Sequence, residues 1–321
     1  MKTKKICLSA LFLITAVMLS AEESKPLSMS LTTDLQYSPK NEYIAGGNHY
    51  SPITGAFGSA AGRVIFNLNY KIPTPLGENF LLSGANVTLN TNVELTPVTI
   101  LPAVKATFSP LPFLEFQAGA AAGSGWNIGG IQGIATYHFS NTSYETKNPF
   151  SYLYIKAWAQ GLFQFDTGAI WSGDWTHVLI QYTYQSYFLD LYNTSSRKPW
   201  LWQASGNNFN GWHEYQCLIL AYQLPSVVRR IGCMLETERL YSDKNINTRY
   251  LAYNPEFNNI KISPLVQFQF GEKDTLNVCI TFANRRSFEE SHTTADEEPL
   301  LTYAGNEWYF NRVALSYTHN F

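Results

Sequence analysis

The sequence predicts an all-β fold, a transmembrane antiparallel up-and-down β-barrel of about 12 strands, or about 14 if one central stretch adds a hairpin. Three observations predict it. Apolar and polar residues alternate with period two through most of the 321 residues, as in strands that have one apolar and one polar face. Charged residues make up only 14% of the chain, against roughly 25% in an average soluble protein. Stretches between the alternating segments are short and often proline-bearing on one side and mostly long and polar on the other, which is the asymmetry of a membrane barrel.

The elements follow in order. Residues 1–21 read as an export signal: Lys2, Lys4 and Lys5 precede an apolar run, and Ser20-Ala21 offers a cleavage point. The run is shorter than the ~20 residues that a spanning helix needs, so residues 22–321 are expected to form the barrel domain. Removing the signal takes the formal charge from −2 to −5 with its three lysines, and nothing in that balance points to nucleic acid. Alternation then places strands at 28–37, 63–72, 81–95, 103–108, 113–123, 150–165, 176–188, 214–224, 230–241, 260–270 and 276–286, with a final strand at 311–321. In 214–224 both parities are largely apolar. The stretch 131–139 is the one that would raise the count. Pro264 inside the 260–270 strand is expected to mark a bulge or the true strand start, because proline removes a ladder donor.

The short connections are 73–77, 109–112, 167–174, 225–229 and 271–274; the other set is long at 38–62, 124–149, 189–213, 242–259 and 287–303, with 96–102 its one short member. Twelve strands place both ends of the barrel on the short-turn side. A soluble sandwich or lipocalin-like barrel also alternates, but its outward polar face carries many Lys and Glu. Here the polar face is mostly Asn, Gln, Thr and Ser, and the other face is nearly free of charge. Lipid explains that better, since Lys or Arg at mid-depth costs roughly 2–4 kcal/mol. Tyr37, Tyr70, Trp171, Trp175 and Trp308 fall near strand ends, where aromatic girdles form.

The last strand carries a resemblance. Counting back from Phe321 in twos gives His319, Tyr317, Leu315 and Val313. This resembles the terminal strand of Gram-negative outer-membrane β-barrel proteins, which ends in Phe after an alternating apolar series. Val313, Leu315, Tyr317 and Phe321 fit that signal; the family usually has Tyr where this chain has His319. The resemblance implies an address in the bacterial outer membrane, with lipid and the barrel-assembly machinery as partners.

The polar face would line the lumen. Its charged candidates are Arg63, Lys71, Glu94, Lys105, Glu115, Lys156, Glu236, Glu238, Lys261, Arg285 and Arg312. About twelve strands lie between filled barrels of eight and open ones of sixteen. The sequence therefore supports a porin-like channel for passive diffusion of small hydrophilic solutes, with selectivity set by rings of charge. The second reading is a closed barrel whose loops bind a host or surface ligand; Trp200, Trp202 and Trp212 in 189–213 are its candidates, aromatic anchors among Asn, Ser and Gly. Enzyme chemistry is not expected. None of the six histidines opens a His-x-Ser-Asn-Gly motif of the kind twelve-stranded outer-membrane phospholipases carry, and no two have metal-ligand spacing. No cofactor or metal is implied, and Cys217, Cys233 and Cys279 read as small strand residues.

Overall fold

The computed structural model describes residues 26–138, 143–194, 198–203, 205–241, 253–290 and 301–321. The expected export signal, 1–21, lies outside them. Among the described residues nineteen strands are formed, in chain order. Twelve of them make the barrel wall: β1 (Leu27–Asn41), β3 (Ile53–Pro73), β4 (Asn86–Thr96), β5 (Thr99–Leu111), β6 (Leu114–Gly125), β11 (Leu153–Asp166), β12 (Val178–Tyr192), β15 (Gly211–Gln223), β16 (Val228–Leu240), β17 (Asn259–Phe270), β18 (Asp274–Glu290) and β19 (Leu301–Asn320). Each pairs antiparallel with its neighbour, and β1 pairs with β19 from Ser30↔Asn320 to Tyr37↔Val313. The sheet closes on itself and its twelve-strand wall leaves no edge, which removes the unpaired row of backbone groups that neither lipid nor water-poor surroundings could satisfy.

These are the twelve stretches that alternation marks. The reason is visible in exposure: along β19, Leu315 and Tyr317 are over 40% exposed on the outer face while Ala314, Ser316 and Thr318 are buried inside. Phe321 extends the outward series. Two boundaries move. The wall strand expected from 81 begins at Asn86, because Asn79 Oδ1 accepts from the Leu81 and Leu82 N–H groups (3.1 and 3.0 Å) and bends 79–84 into the turn. At the other end of the barrel, β1, β3 and β19 run well beyond the outward apolar band, so much of the expected 38–62 loop is strand.

Pro264 is neither a bulge nor a strand start, which corrects the sequence expectation. Register is continuous on both sides of it, with Cys233↔Pro264 on β16 and Ile262↔Phe282 followed by Leu265↔Cys279 on β18. Its ring faces outward and is exposed. Where the pairing with β18 skips two residues, Ser263 Oγ and Thr281 Oγ1 bond at 2.9 Å inside the barrel and tie the strands together.

The described part of the 131–139 stretch is strand but not wall, so the count of twelve stands. Short strands β9 (Ile134–His138), β10 (Ser143–Thr146), β13 (Trp200–Trp202) and β14 (Ser205–Asn208) form a second sheet in the order β10-β9-β13-β14. A two-stranded turn, β7 (Asn127–Ile128) with β8 (Ile131–Gln132), precedes it, and β2 (His49–Ser51) lies parallel to β19 at Glu307–Tyr309.

One glycine in the wall is required sterically. Gly119 on β6 faces Trp158 on β11 across the ladder, and a Cβ there would meet the Trp158 ring at 2.3 Å and the Val104 carbonyl at 2.8 Å. Trp158 lies over this gap and donates from Nε1 to Gln117 Oε1 at 3.0 Å. Gly119→Leu is therefore expected to destabilise the barrel by about 1–3 kcal/mol through overpacking. A lowered unfolding midpoint by heat-modifiable gel migration checks it; unchanged migration would contradict the packing described.

Candidate functional site: the lumen and its mouth

Inward positions of the wall carry the polar residues, because alternation leaves the apolar parity outside. Along β3 to β12 they form ladders of neutral groups: Asn90 Nδ2 donates to Asn69 Oδ1 (2.6 Å), Gln117 Nε2 to Thr107 Oγ1 (3.1 Å) and Gln185 Nε2 to Gln160 Oε1 (2.9 Å). Asn67, Asn69, Lys105, Thr107, Glu115, Gln117, Gln160, Gln164, Gln181 and Gln185 are only half-buried. Asn90, Asn92 and Thr183 on the same strands are buried, so this side of the interior is accessible in part. The opposite side is packed: Cys217, Met234, Leu265, Cys279 and Ala314 are under 5% exposed and belong to one apolar cluster with Tyr154, Tyr187 and Tyr215. The interior is thus lopsided, half-buried along much of one wall and tightly packed along the other.

The eleven charged candidates share the inward parity of their strands but fall in separate groups. Arg63 donates to Asp34 Oδ2 (2.6 Å) and Glu94 Oε2 (3.0 Å) across β1, β3 and β4. Lys105 and Glu115 lie on β5 and β6, half-buried beside the neutral ladders. Glu236, Lys261 and Arg312 are buried across the packed side, where Glu236 and Lys261 are cross-strand neighbours, Tyr215 donates to Glu236 (2.8 Å) and Arg312 to Gln36 (2.9 Å). Glu238 accepts from the Tyr187 hydroxyl, and the Lys156 ammonium lies 4.1 Å from the Tyr187 ring centre. Lys71 is exposed near the short-turn end of β3. Arg285 departs from expectation. It lies at the long-loop end, paired with fully buried Glu307, donating to the Glu42 carbonyl (3.1 Å) and stacked on the Tyr309 ring (4.5 Å). It ties down a loop rather than lining the mid-lumen. The same Glu307 accepts from the Ile44 N–H (3.1 Å), and burial pushes the Tyr43 phenol nearby above its ordinary value.

The mouth is where the sequence expectation needs correction. Trp200 is fully buried and Trp202 is 8% exposed. They do not display a surface for binding. Around β13 the chain turns inward, and Trp202 stacks on inward-facing Tyr154 at 4.3 Å with Trp200 edge-on to it at 6.0 Å. Trp212 is exposed, but on the outer face of β15 rather than on a loop. Sequence reasoning also missed Gln203. Its backbone takes a left-handed φ of +52°, its N–H donates to the Gly133 carbonyl (2.9 Å), and its amide donates to Glu94 Oε1 (2.7 Å) and Thr99 Oγ1 (2.9 Å). A left-handed non-glycine residue costs on the order of 1–3 kcal/mol, which this pair of buried bonds offsets. Gln203 joins the inner sheet to the Arg63–Glu94 group on the wall. A Gln beside a Trp-Leu-Trp run was the only signal available.

Twelve antiparallel strands closed without an edge, an apolar outer face with exposed aromatics and polar ladders along much of the inner face define a closed β-barrel of the transmembrane type. Among the described residues no helix is long and apolar enough to cross a membrane. No protein-family model matches the sequence, and no curated protein matches it either. Solved structures with similar shape include the COG4313 outer membrane channel from Pseudomonas putida F1, at 9% identity and a TM-score of 0.48, covering 95% of this chain and 100% of that one. The outer membrane channel DcaP of Acinetobacter baumannii follows at 10% identity and 0.36, covering 92% and 96%. An anion-selective porin from Comamonas acidovorans is similar at 10% and 0.31, covering 92% and 99%. At such identities the likeness is of shape, and no residue role is taken from it.

Proposed function

We propose that the protein is an outer-membrane channel for small hydrophilic solutes, narrowed at its mouth by its own inward-folded segment. One observation carries this reading: a half-buried, amide- and hydroxyl-lined wall runs down the interior from Asn67 and Lys105 to Gln164 and Glu115, inside a cylinder whose outside is apolar. Hydrogen-bonding groups kept accessible in an interior suit water and polar solutes. A barrel filled for stability alone would pack this side as tightly as the β17–β19 side. The short-turn end then faces the periplasm, where Val313, Leu315, Tyr317 and Phe321 are presented to the assembly machinery. Export by a signal at 1–21 completes the route. With Trp200 and Trp202 buried, the surface-binding reading has lost two of its three anchors.

The refolded protein is expected to give small, discrete conductance steps in a planar bilayer. Lys105→Gln should lower whatever anion preference those steps show, since Lys105 belongs to the half-buried wall. A barrel that migrates as folded on unheated gels yet never conducts would overturn the channel reading.

A further inference from the structure

The outer face is apolar on most strands, but one patch is not. Two consecutive rows across three neighbouring strands are polar: Ser186–Glu214–Arg239 and Tyr184–Gln216–Thr237, on β12, β15 and β16. These side chains point outward, because the intervening His213, Tyr215 and Cys217 are buried inside. Arg239 pairs with Glu214, Tyr182 donates to Gln216 Oε1 (2.9 Å), and the Tyr184 and Tyr241 hydroxyls bond at 2.6 Å. The patch is not part of the loop end. The next row beyond it is the aromatic pair Phe188–Trp212, rings 5.6 Å apart, with Trp212 56% exposed. An exposed Trp at such a rim marks the headgroup level, so the polar rows lie on its hydrocarbon side.

Polar groups there meet no water, and charge on a lipid-facing strand is unfavourable in proportion to depth. Mutual pairing satisfies part of the patch but leaves the Arg239 side chain 52% exposed. We propose that this face is the contact between two copies of the chain in the membrane, related by a two-fold axis along the barrel axis. The charges choose that partner. Glu214 and Arg239 are directly opposite one another in the ladder, and a strand tilt of roughly 40° sets them only about 3 Å apart in height, within reach of their long side chains. A two-fold parallel to the barrel lays Arg239 of each copy against Glu214 of the other, as a self-complementary surface requires. Beside the patch, Ala159 and Gly161 continue the same rows on β11, with Ala118 beyond them on β6. Their lack of bulk lets a second wall approach closely. The proposal rests on membrane placement and not on conduction.

Cross-linking in liposomes tests it. In a full-length Cys233→Ser background, which removes the exposed cysteine, single cysteines are placed by Gln216→Cys or, as control, by Val64→Cys on the outer face of β3 (39% exposed). A short bis-maleimide is expected to give dimers with Gln216→Cys and few with Val64→Cys. Adding Arg239→Glu, which sets like charges together, should lower the dimer yield about tenfold, the equivalent of ~1.4 kcal/mol. The exchange Glu214→Arg with Arg239→Glu should restore it. Heat-modifiable migration confirms folding of each variant, and Thr237→Cys replaces Gln216→Cys if that one misfolds. Equal cross-linking from both faces, monomers throughout, or attachment only to lipid or to other proteins would overturn the proposal.

Discussion

Replacing 193–210 by a short Gly-Ser turn is expected to raise single-channel conductance severalfold while leaving the barrel folded. The segment is the part of the mouth that carries its own strands, β13 and β14, into the inner sheet. It is anchored by the two indoles on Tyr154 and by the Gln203 amide on Glu94 and Thr99. Neither anchor belongs to the wall's backbone ladder, which stays intact; what the wall loses is side-chain bonding, from Gln203 to Glu94 and Thr99 and from the Leu191 N–H to Asn210 Oδ1 (2.9 Å). The packing loss is real, since truncating a buried Trp costs on the order of 3–5 kcal/mol, but closure of the twelve-stranded wall does not depend on it. Gln203→Ala alone is the finer test. It releases one contact of the inner sheet and leaves the indoles stacked, so it should give brief transitions to the higher level rather than a steady one. If deletion leaves conductance unchanged, the constriction lies deeper, where Cys217, Met234 and Cys279 pack.

What the sequence made legible follows from where each residue meets its surroundings. Wall strands have two unlike faces, so β4, with Val87, Leu89 and Val93 out and Thr88, Asn90 and Asn92 in, writes its geometry directly into the alternation. The inner sheet has no such contrast. Trp200, Leu201 and Trp202 are all buried, and a strand covered on both faces shows no period, which is why 189–213 reads as a polar loop with aromatics. For the same reason the 131–139 stretch could be recognised as strand but not assigned to wall or interior. The ambiguity of 214–224 has the opposite cause. There Glu214 and Gln216 face out while Tyr215, Cys217, Ile219 and Ala221 face in, a local inversion of the rule that holds elsewhere. Two things inverted the pattern: the packed side of the lumen wants apolar residues, and the outer patch wants polar ones. Charged positions were predicted by face but not by partner. Alternation says that Arg63 points inward; only register says that Asp34 and Glu94 stand beside it.

That partnership sets the largest stability effect expected of a single wall residue. Arg63→Met keeps most of the side-chain volume but removes the guanidinium that bridges Asp34 and Glu94, whose side chains are 13% and 8% exposed. Breaking a buried ion pair from one side costs about 3–5 kcal/mol, because the remaining charge keeps its desolvation penalty and loses its counterion. Here two carboxylates are left together, and Glu94 also holds Gln203. Arg63→Met should therefore lower the unfolding midpoint in denaturant and loosen the mouth together, so that the surviving channels conduct more. The triple variant Arg63→Met, Asp34→Asn, Glu94→Gln separates the two effects. Removing all three charges should recover much of the stability, since neutral amides at these positions can join the Asn and Thr ladders beside them. It should not restore tight closure, since the amide put in place of the Glu94 carboxylate offers Gln203 no charged acceptor. Equal midpoints for the single and triple variants would show that the side-chain charges at Asp34 and Glu94 are screened by lumenal water. The wall would then be held at this level by its backbone ladder alone.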